Sequence, residues 1–258
     1  MDWSRAKTIF IITFFILDIF LIYQLTNQKN DNTFDLIKET SIEEQLKADE
    51  IKVPKLPEKP TKETYIEADA KRFMKDDLFF EGQEISIVNE TFVQSLLKKP
   101  YKLKDEWEVK NVDSFVTENV FSGSQYRFSY FDQDNLSIIY YQTHKNNPFF
   151  QNSSGQLTLH LNENKEIISY TQTMLENIKE IKEQQILTAH EAMVTLYKKR
   201  LLKSGSEITR VDIGYYTLVP ISTSQLLVPT WRFSIKGQED LYVNAVEGHA
   251  FQLSDQDF

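Results

Sequence analysis

The chain has no cysteine. That absence excludes disulfide staples, thiolate metal sites and cysteine nucleophiles together. Glycine is scarce, with 7 residues in 258, and none of them falls into a phosphate-cradling spacing. The four histidines, His144, His160, His190 and His249, are scattered and offer no pair at metal-ligand spacing. His190-Glu191 opens like a zinc-protease helix, but the second imidazole is missing, so the pair reads as an ordinary first turn. Ser122-Gly123-Ser124 lacks the glycine spacing of a strained nucleophile elbow and reads as a loop. No cofactor, no metal site and no catalytic set is expected. Plentiful carboxylates leave an acid/base pair open, although in an acidic protein most of them form a solvated face. Basic residues are outnumbered, 29 against 38, for a net charge of −9. Such an exterior repels nucleic acid and anionic headgroups.

What the chain does have is a long apolar run at its start. Thr8 to Leu25 is interrupted by a single charge, Asp18. As a helix this run rises about 27 Å, enough with its flanks to cross a bilayer core. Arg5 and Lys7 precede it, and by the positive-inside rule they keep the N-terminus in the cytoplasm. A cleaved signal peptide would have a shorter apolar region and small residues at a cleavage site, whereas this run exits through Tyr23-Gln24-Leu25-Thr26. The expected localisation is therefore the cell membrane, single-pass, with the C-terminal domain extracellular. Membrane lipid is the first expected partner.

Asp18 costs roughly 2.5–3.5 kcal/mol on the insertion scale, while about 13 Ile, Leu and Phe residues return roughly 4–8 kcal/mol, so insertion wins. A carboxylate at that depth either pairs with a polar group on another membrane helix or is protonated and tolerated. Ile11, Phe14, Phe15, Leu21, Ile22 and Leu25 share its face by helical spacing. These residues with Asp18 are the candidate transmembrane contact surface.

The expected fold class is α+β: one transmembrane helix, a linker, then two related α+β subdomains with antiparallel sheets. The expected boundaries are a cytoplasmic stub at 1–7, the membrane helix at 8–26, a juxtamembrane linker at 27–62, and subdomains at 63–180 and 181–258. Phe34 to Ile51 has a loose helical pattern. Val53-Pro54-Lys55-Leu56-Pro57-Glu58-Lys59-Pro60 has proline every third residue, which suits a polyproline spacer or, alternatively, a docking peptide.

In the first subdomain Thr64-x-x-Glu67 matches a capping box, with Ile66, Ala70, Phe73 and Met74 on one helical face. A second short helix is expected at Phe92, Val93, Leu96 and Leu97, closed by Pro100. Strands are expected at Trp107–Val116, Gln125–Phe131, Leu136–Gln142, Gln156–Leu161 and Glu166–Thr171, with a turn at Asp132–Asn135. In the second, Thr188-x-x-Glu191 caps a helix with an apolar stripe at Ala189, Ala192, Met193, Leu196, Tyr197 and Leu201, and Gly205 fits its C-cap region. Strands follow at Arg210–Leu218, Leu226–Ile235, Leu241–Ala245 and Ala250–Leu253. Trp231, Phe233 and Ile235 alternate on one strand face, which favours packing over ligand stacking.

Met1-Asp2-Trp3, the basic Arg5 and Lys7, the run Phe10-Ile11-Ile12 through Tyr23-Gln24, and the C-terminal segments Leu227-Val-Pro-Thr-Trp231 and Tyr242-Val-Asn-Ala245 resemble the YycI (WalI) family. The resemblance covers most of the chain and is strongest in the first 25 and last 35 residues. It implies a non-enzymatic regulator of the YycF/YycG (WalR/WalK) two-component system, which governs cell-wall metabolism. It also implies an outer α+β domain similar to the C-terminal domains of YycH. The implied partners are the sensor histidine kinase YycG (WalK) and YycH (WalH), contacted through transmembrane helices; the family carries no catalytic residue to transfer. Two other readings share the anchor: a bitopic scaffold of the division or wall-synthesis machinery, and an anchored extracellular hydrolase.

Overall fold

The computed structural model describes residues 3, 7–8, 10–21, 42–75, 78–103, 109–220 and 224–252. Two units separate: residues 1–52 with 203–206, and residues 53–202 with 207–258.

In the first unit residues 10–21 are helical. A short helix, α1, covers 42–48. Its end is a Schellman turn: Glu50 takes φ 56, its N–H donates to the Lys47 carbonyl, and the Ile51 N–H reaches back to the Leu46 carbonyl. Leu46 and Ile51, the apolar pair that accompanies this turn, are both buried. The Asp49 carbonyl then accepts from the Gly205 N–H at 2.8 Å and the Ser204 hydroxyl at 2.9 Å.

The second unit is built on a large mixed sheet. Its strands are β1 Lys62–Ala70, β2 Gln83–Val88, β3 Phe92–Tyr101, β4 Tyr126–Asp132, β5 Ser137–His144, β6 Asn147–Phe150, β7 Gln156–Leu161, β8 Ile167–Gln172, β9 Leu175–Gln185, β10 Ile208–Pro220, β11 Ser224–Ile235, β12 Leu241–Asn244 and β13 Ala250–Gln252. The hydrogen-bonded path runs β13-β12-β11-β10-β6-β5-β7-β8-β3-β2, with β1 joining β11 and β9, and β4 joining β5. The expectation of antiparallel sheets needs correction at one seam, because β6 and β10 pair in parallel through Phe149↔Tyr215 and Phe150↔Tyr216. Through that seam, and through β1 on β11, strands on both sides of the expected boundary at residue 180 share one sheet.

Three expected elements have the other secondary structure. The segment from Thr64 is strand β1, not a capped helix: Ile66 and Ala68 are buried while Glu67 between them is exposed, a period of two. The expected helix at Phe92–Leu97 is strand β3, with Val93 and Ser95 buried and Gln94 and Leu96 exposed. Conversely, the expected strand ending at Val116 is a helix, α2, at Val109–Asn119. Its buried side chains are Val112, Phe115 and Val116, one helical face laid on Val93, Ile138, Tyr140, Leu157, Leu159 and Tyr170 of the sheet. The alternation Trp107-Glu-Val-Lys and the β-branched valines imitate a strand locally, but the burial of that apolar face favours helix over propensity.

The remaining strands lie close to their expected places, and Asp132 makes the expected turn by accepting from the Asp134 and Asn135 N–H groups at 3.0 Å each. The capping box is present at Thr188, which opens helix α3 at Ala189–Lys198 with Ala189, Ala192, Met193 and Leu196 buried. That helix does not end at Gly205. Arg200, at φ 59, takes the left-handed position, and the Leu201 N–H bonds the Leu196 carbonyl at 3.1 Å. Residues 53–60 carry neither helix nor strand.

Candidate functional site

The expected contact face lies partly within the described residues. Ile11, Phe14, Phe15, Asp18 and Leu21 are on the helical stretch 10–21, where every side chain is exposed. Lys7 is described and its ammonium sits 5.5 Å from the Trp3 ring centre. Arg5, Ile22 and Leu25 lie outside the described residues. Among the described residues no helix is long and apolar enough to cross a membrane. Nor do any three His, Asp or Glu side chains among them converge on a metal position.

The second unit holds a group of charges that no sequence motif marks. On β10 and β11 the register places Asp212 opposite Arg232, and Arg232 opposite Tyr242 of β12. A bulge after Ile208 matters here. Ile208 pairs with Ile235 but Arg210 pairs with Ser234, so the even spacing of 208 and 210 does not keep them on one face. Ile208 goes to the side of Trp231 and Phe233, all three buried, while Arg210 joins Asp212 and Arg232 on the other. On the apolar side the Trp231 Nε1–H donates to the Leu187 carbonyl at 2.7 Å, so this tryptophan packs as its alternation implies.

On the charged side Arg232 is almost fully buried, its side chain 6% exposed. Its Nε and Nη2 both donate to Asp212 Oδ2, at 3.2 and 2.8 Å, and its Nη1 lies 3.7 Å from Asp240 Oδ2. Its guanidinium carbon stands 4.6 Å from the centre of the Phe150 ring, a cation–π contact. Gly214 makes room for that ring, since a Cβ there would come within 2.5 Å of Phe150 and of the Pro148 carbonyl. Asp212 Oδ1 accepts from Arg210 Nε at 2.7 Å, and Arg127 Nη2 of β4 stands 3.8 Å from the same oxygen. Burial pushes the Asp212 carboxyl up, but Arg232 and Arg210 outweigh it and hold it below the usual range. Asp240 is raised, because burial there exceeds the pull of Arg232. Three arginines thus share two carboxylates.

Beside this cluster runs a groove of about 460 Å³, lined by Asp113, Thr117, Ser124, Arg127, Phe128 and Arg210 among others. Gly123 lines it too, and the chain there passes so close to the Val116 carbonyl that a Cβ would collide with it. Asp113 Oδ1 accepts from the Tyr140 hydroxyl at 2.7 Å. The only hint in the sequence is Arg232 itself, a charge between Trp231 and Phe233 in an otherwise uncharged strand.

A family model described as YycI protein matches residues 31–246. No curated protein matches the chain. Solved structures with similar chain paths include an uncharacterized protein from Eubacterium rectale ATCC 33656, at 8% identity and TM-score 0.48, covering 79% of this chain and 89% of that one. YycH from Bacillus subtilis is similar at 13% identity and TM-score 0.40, over 78% of this chain and 54% of its own. The Bacillus megaterium YpeB C-terminal domain is similar at 11% identity and TM-score 0.40, over 76% and 92%.

Proposed function

The chain belongs to the YycI family, and on that premise we propose that it is a membrane-anchored, extracytoplasmic regulator of the sensor histidine kinase YycG (WalK). It acts with YycH (WalH), through contacts between transmembrane helices, to adjust two-component control of cell-wall metabolism. Family membership carries the reading. The apolar run around Asp18 supports its membrane part, because a stretch whose described side chains are all exposed needs an apolar environment to cover it. The N-terminus stays in the cytoplasm beside Arg5 and Lys7, and the sheet-built unit lies outside.

A kinase that switches between helix-bundle states needs only a partner with unequal affinity for the two. A difference of about 1.4 kcal/mol already moves such a balance tenfold. The face of Ile11, Phe14, Phe15, Asp18, Leu21, Ile22 and Leu25 supplies that preference, with Asp18 paired to a polar group of the kinase or of YycH. Asp18→Leu, and separately a scrambled order of that face, are expected to change kinase output while leaving membrane insertion intact. Complex formation unchanged by both would refute the helix contact. An anchor-only truncation retains part of the effect if the helix carries it, and none if the outer unit does.

A further inference from the structure

We propose that the groove between α2, β4 and β10 binds a small organic anion, with Arg127 and Arg210 holding its carboxylate or phosphate and Phe128 covering its apolar part. The proposal goes beyond the kinase-regulator reading and does not depend on it. It starts from an uneven arrangement of charge. Arg232 bonds Asp212 through Nε and Nη2 and has Asp240 3.7 Å from its Nη1. Arg127 and Arg210 are left to share a single oxygen, Asp212 Oδ1. Two guanidinium groups on one carboxylate oxygen leave an excess positive charge in a protein whose net charge is −9. Arg127 and Arg210 both line the groove, whose wall carries one carboxylate, Asp113, opposite them in charge.

The donors left over point to an oxyanion. Arg127 Nη1 donates to the Asn146 carbonyl at 3.0 Å, but its Nη2 is buried and has no hydrogen-bond acceptor among the described residues. A buried guanidinium N–H without an acceptor is costly, and because Nη2 itself is closed to solvent, an anion oxygen in the groove removes that cost once the Arg127 side chain turns towards it. Burial lowers the Arg127 pKa; Asp212 opposes this, while Arg210 and Arg232 add to it, so an added negative charge would relieve the site. Arg210 uses its Nε on Asp212, and its side chain is 42% exposed at the groove. Its forked terminal nitrogens suit a two-oxygen group. The groove's volume, about 460 Å³, falls in the range of small-molecule sites. Asp113 on its wall disfavours a second negative charge on the ligand's far end.

The test is calorimetric titration of the full chain, held in a neutral detergent, with benzoate, phenyl phosphate and the uncharged benzyl alcohol. Saturable binding of either anion with Kd under about 1 mM, at least tenfold weaker for benzyl alcohol, supports the site. The tighter of the two anions identifies carboxylate or phosphate as the source. Arg210→Gln should weaken that anion tenfold or more with the melting temperature unchanged. Arg127→Lys, which keeps the charge but loses the fork, should also weaken it, while Lys98→Gln in a separate groove should not. Equal binding of benzyl alcohol, no saturation, or an Arg210→Gln variant that binds as tightly as the original would overturn the proposal.

Discussion

Replacing Asp212 by Asn tests how the charged side of the sheet is held. The substitution keeps the size of the side chain and one acceptor oxygen but removes the charge that faces Arg232. Removing one partner of a buried ion pair costs about 3–5 kcal/mol, because the other charge remains buried. Arg232 keeps two supports, Asp240 at 3.7 Å and the Phe150 ring at 4.6 Å, and the latter is worth about 0.5–2 kcal/mol. Arg210 is exposed enough that losing its partner costs little. The expected loss is therefore about 2–3 kcal/mol, or a fall in Tm of roughly 4–12 °C for a unit of this size. Near-UV circular dichroism of the full chain in detergent reads it directly. Replacing both partners, Asp212→Leu with Arg232→Met, should cost less than the two single changes together, since no lone charge is left. A single-variant Tm within about 2 °C of the original would show that Asp212 does not hold the buried Arg232 in place. So would strict additivity. The sign with pH is fixed: Asp212 is held below the ordinary carboxylate range, so its contribution is present above the unfolded-state pKa and disappears as pH falls through the folded one. The Asn variant should lose that acid dependence.

Other outcomes follow from packing and titration. Gly214→Ala should destabilise by about 1–3 kcal/mol, because its Cβ meets the Phe150 ring and the Pro148 carbonyl; an unchanged Tm would mean that β6 yields easily. Burial lowers the His160 pKa below its ordinary value. The unfolded chain then binds the proton more readily, and stability should drop as pH falls below about 6.5. His160→Gln should flatten the thermal profile over that interval, and an identical slope in the variant would exclude His160 as the source.

The parts of the fold legible in the sequence are those where a local rule and the tertiary outcome agree. Thr188-x-x-Glu191 before an apolar stripe gives a capped helix because the cap bonds and the buried face need the same start. The alternation of Trp231, Phe233 and Ile235 gives a core face for the same reason. Illegible parts are those where two periods fit. Ile66, Ala70 and Phe73 satisfy a helical spacing, yet Ile66 and Ala68 are what the sheet buries, and pairing with β9 and β11 from far along the chain decides it. Val112, Phe115 and Val116 are good strand formers turned helical by the sheet beneath them. The arginine cluster was hidden for a different reason. Arg127, Arg210 and Arg232 are far apart in sequence, and only the register of β10 on β11 and the bulge after Ile208 bring their partners together. The Asp18 face is legible as a pattern of helical spacing.

The helix around Asp18 is proposed to touch transmembrane helices of YycG or YycH inside the bilayer. A photo-crosslinking residue placed at Phe14 or Phe15, beside Asp18, in intact membranes tests it most directly. Crosslinks to transmembrane helices of YycG or YycH are expected, and they should be lost when the face is scrambled. Recovery of the chain in the soluble fraction, or crosslinks confined to lipid and to unrelated membrane proteins, would contradict it.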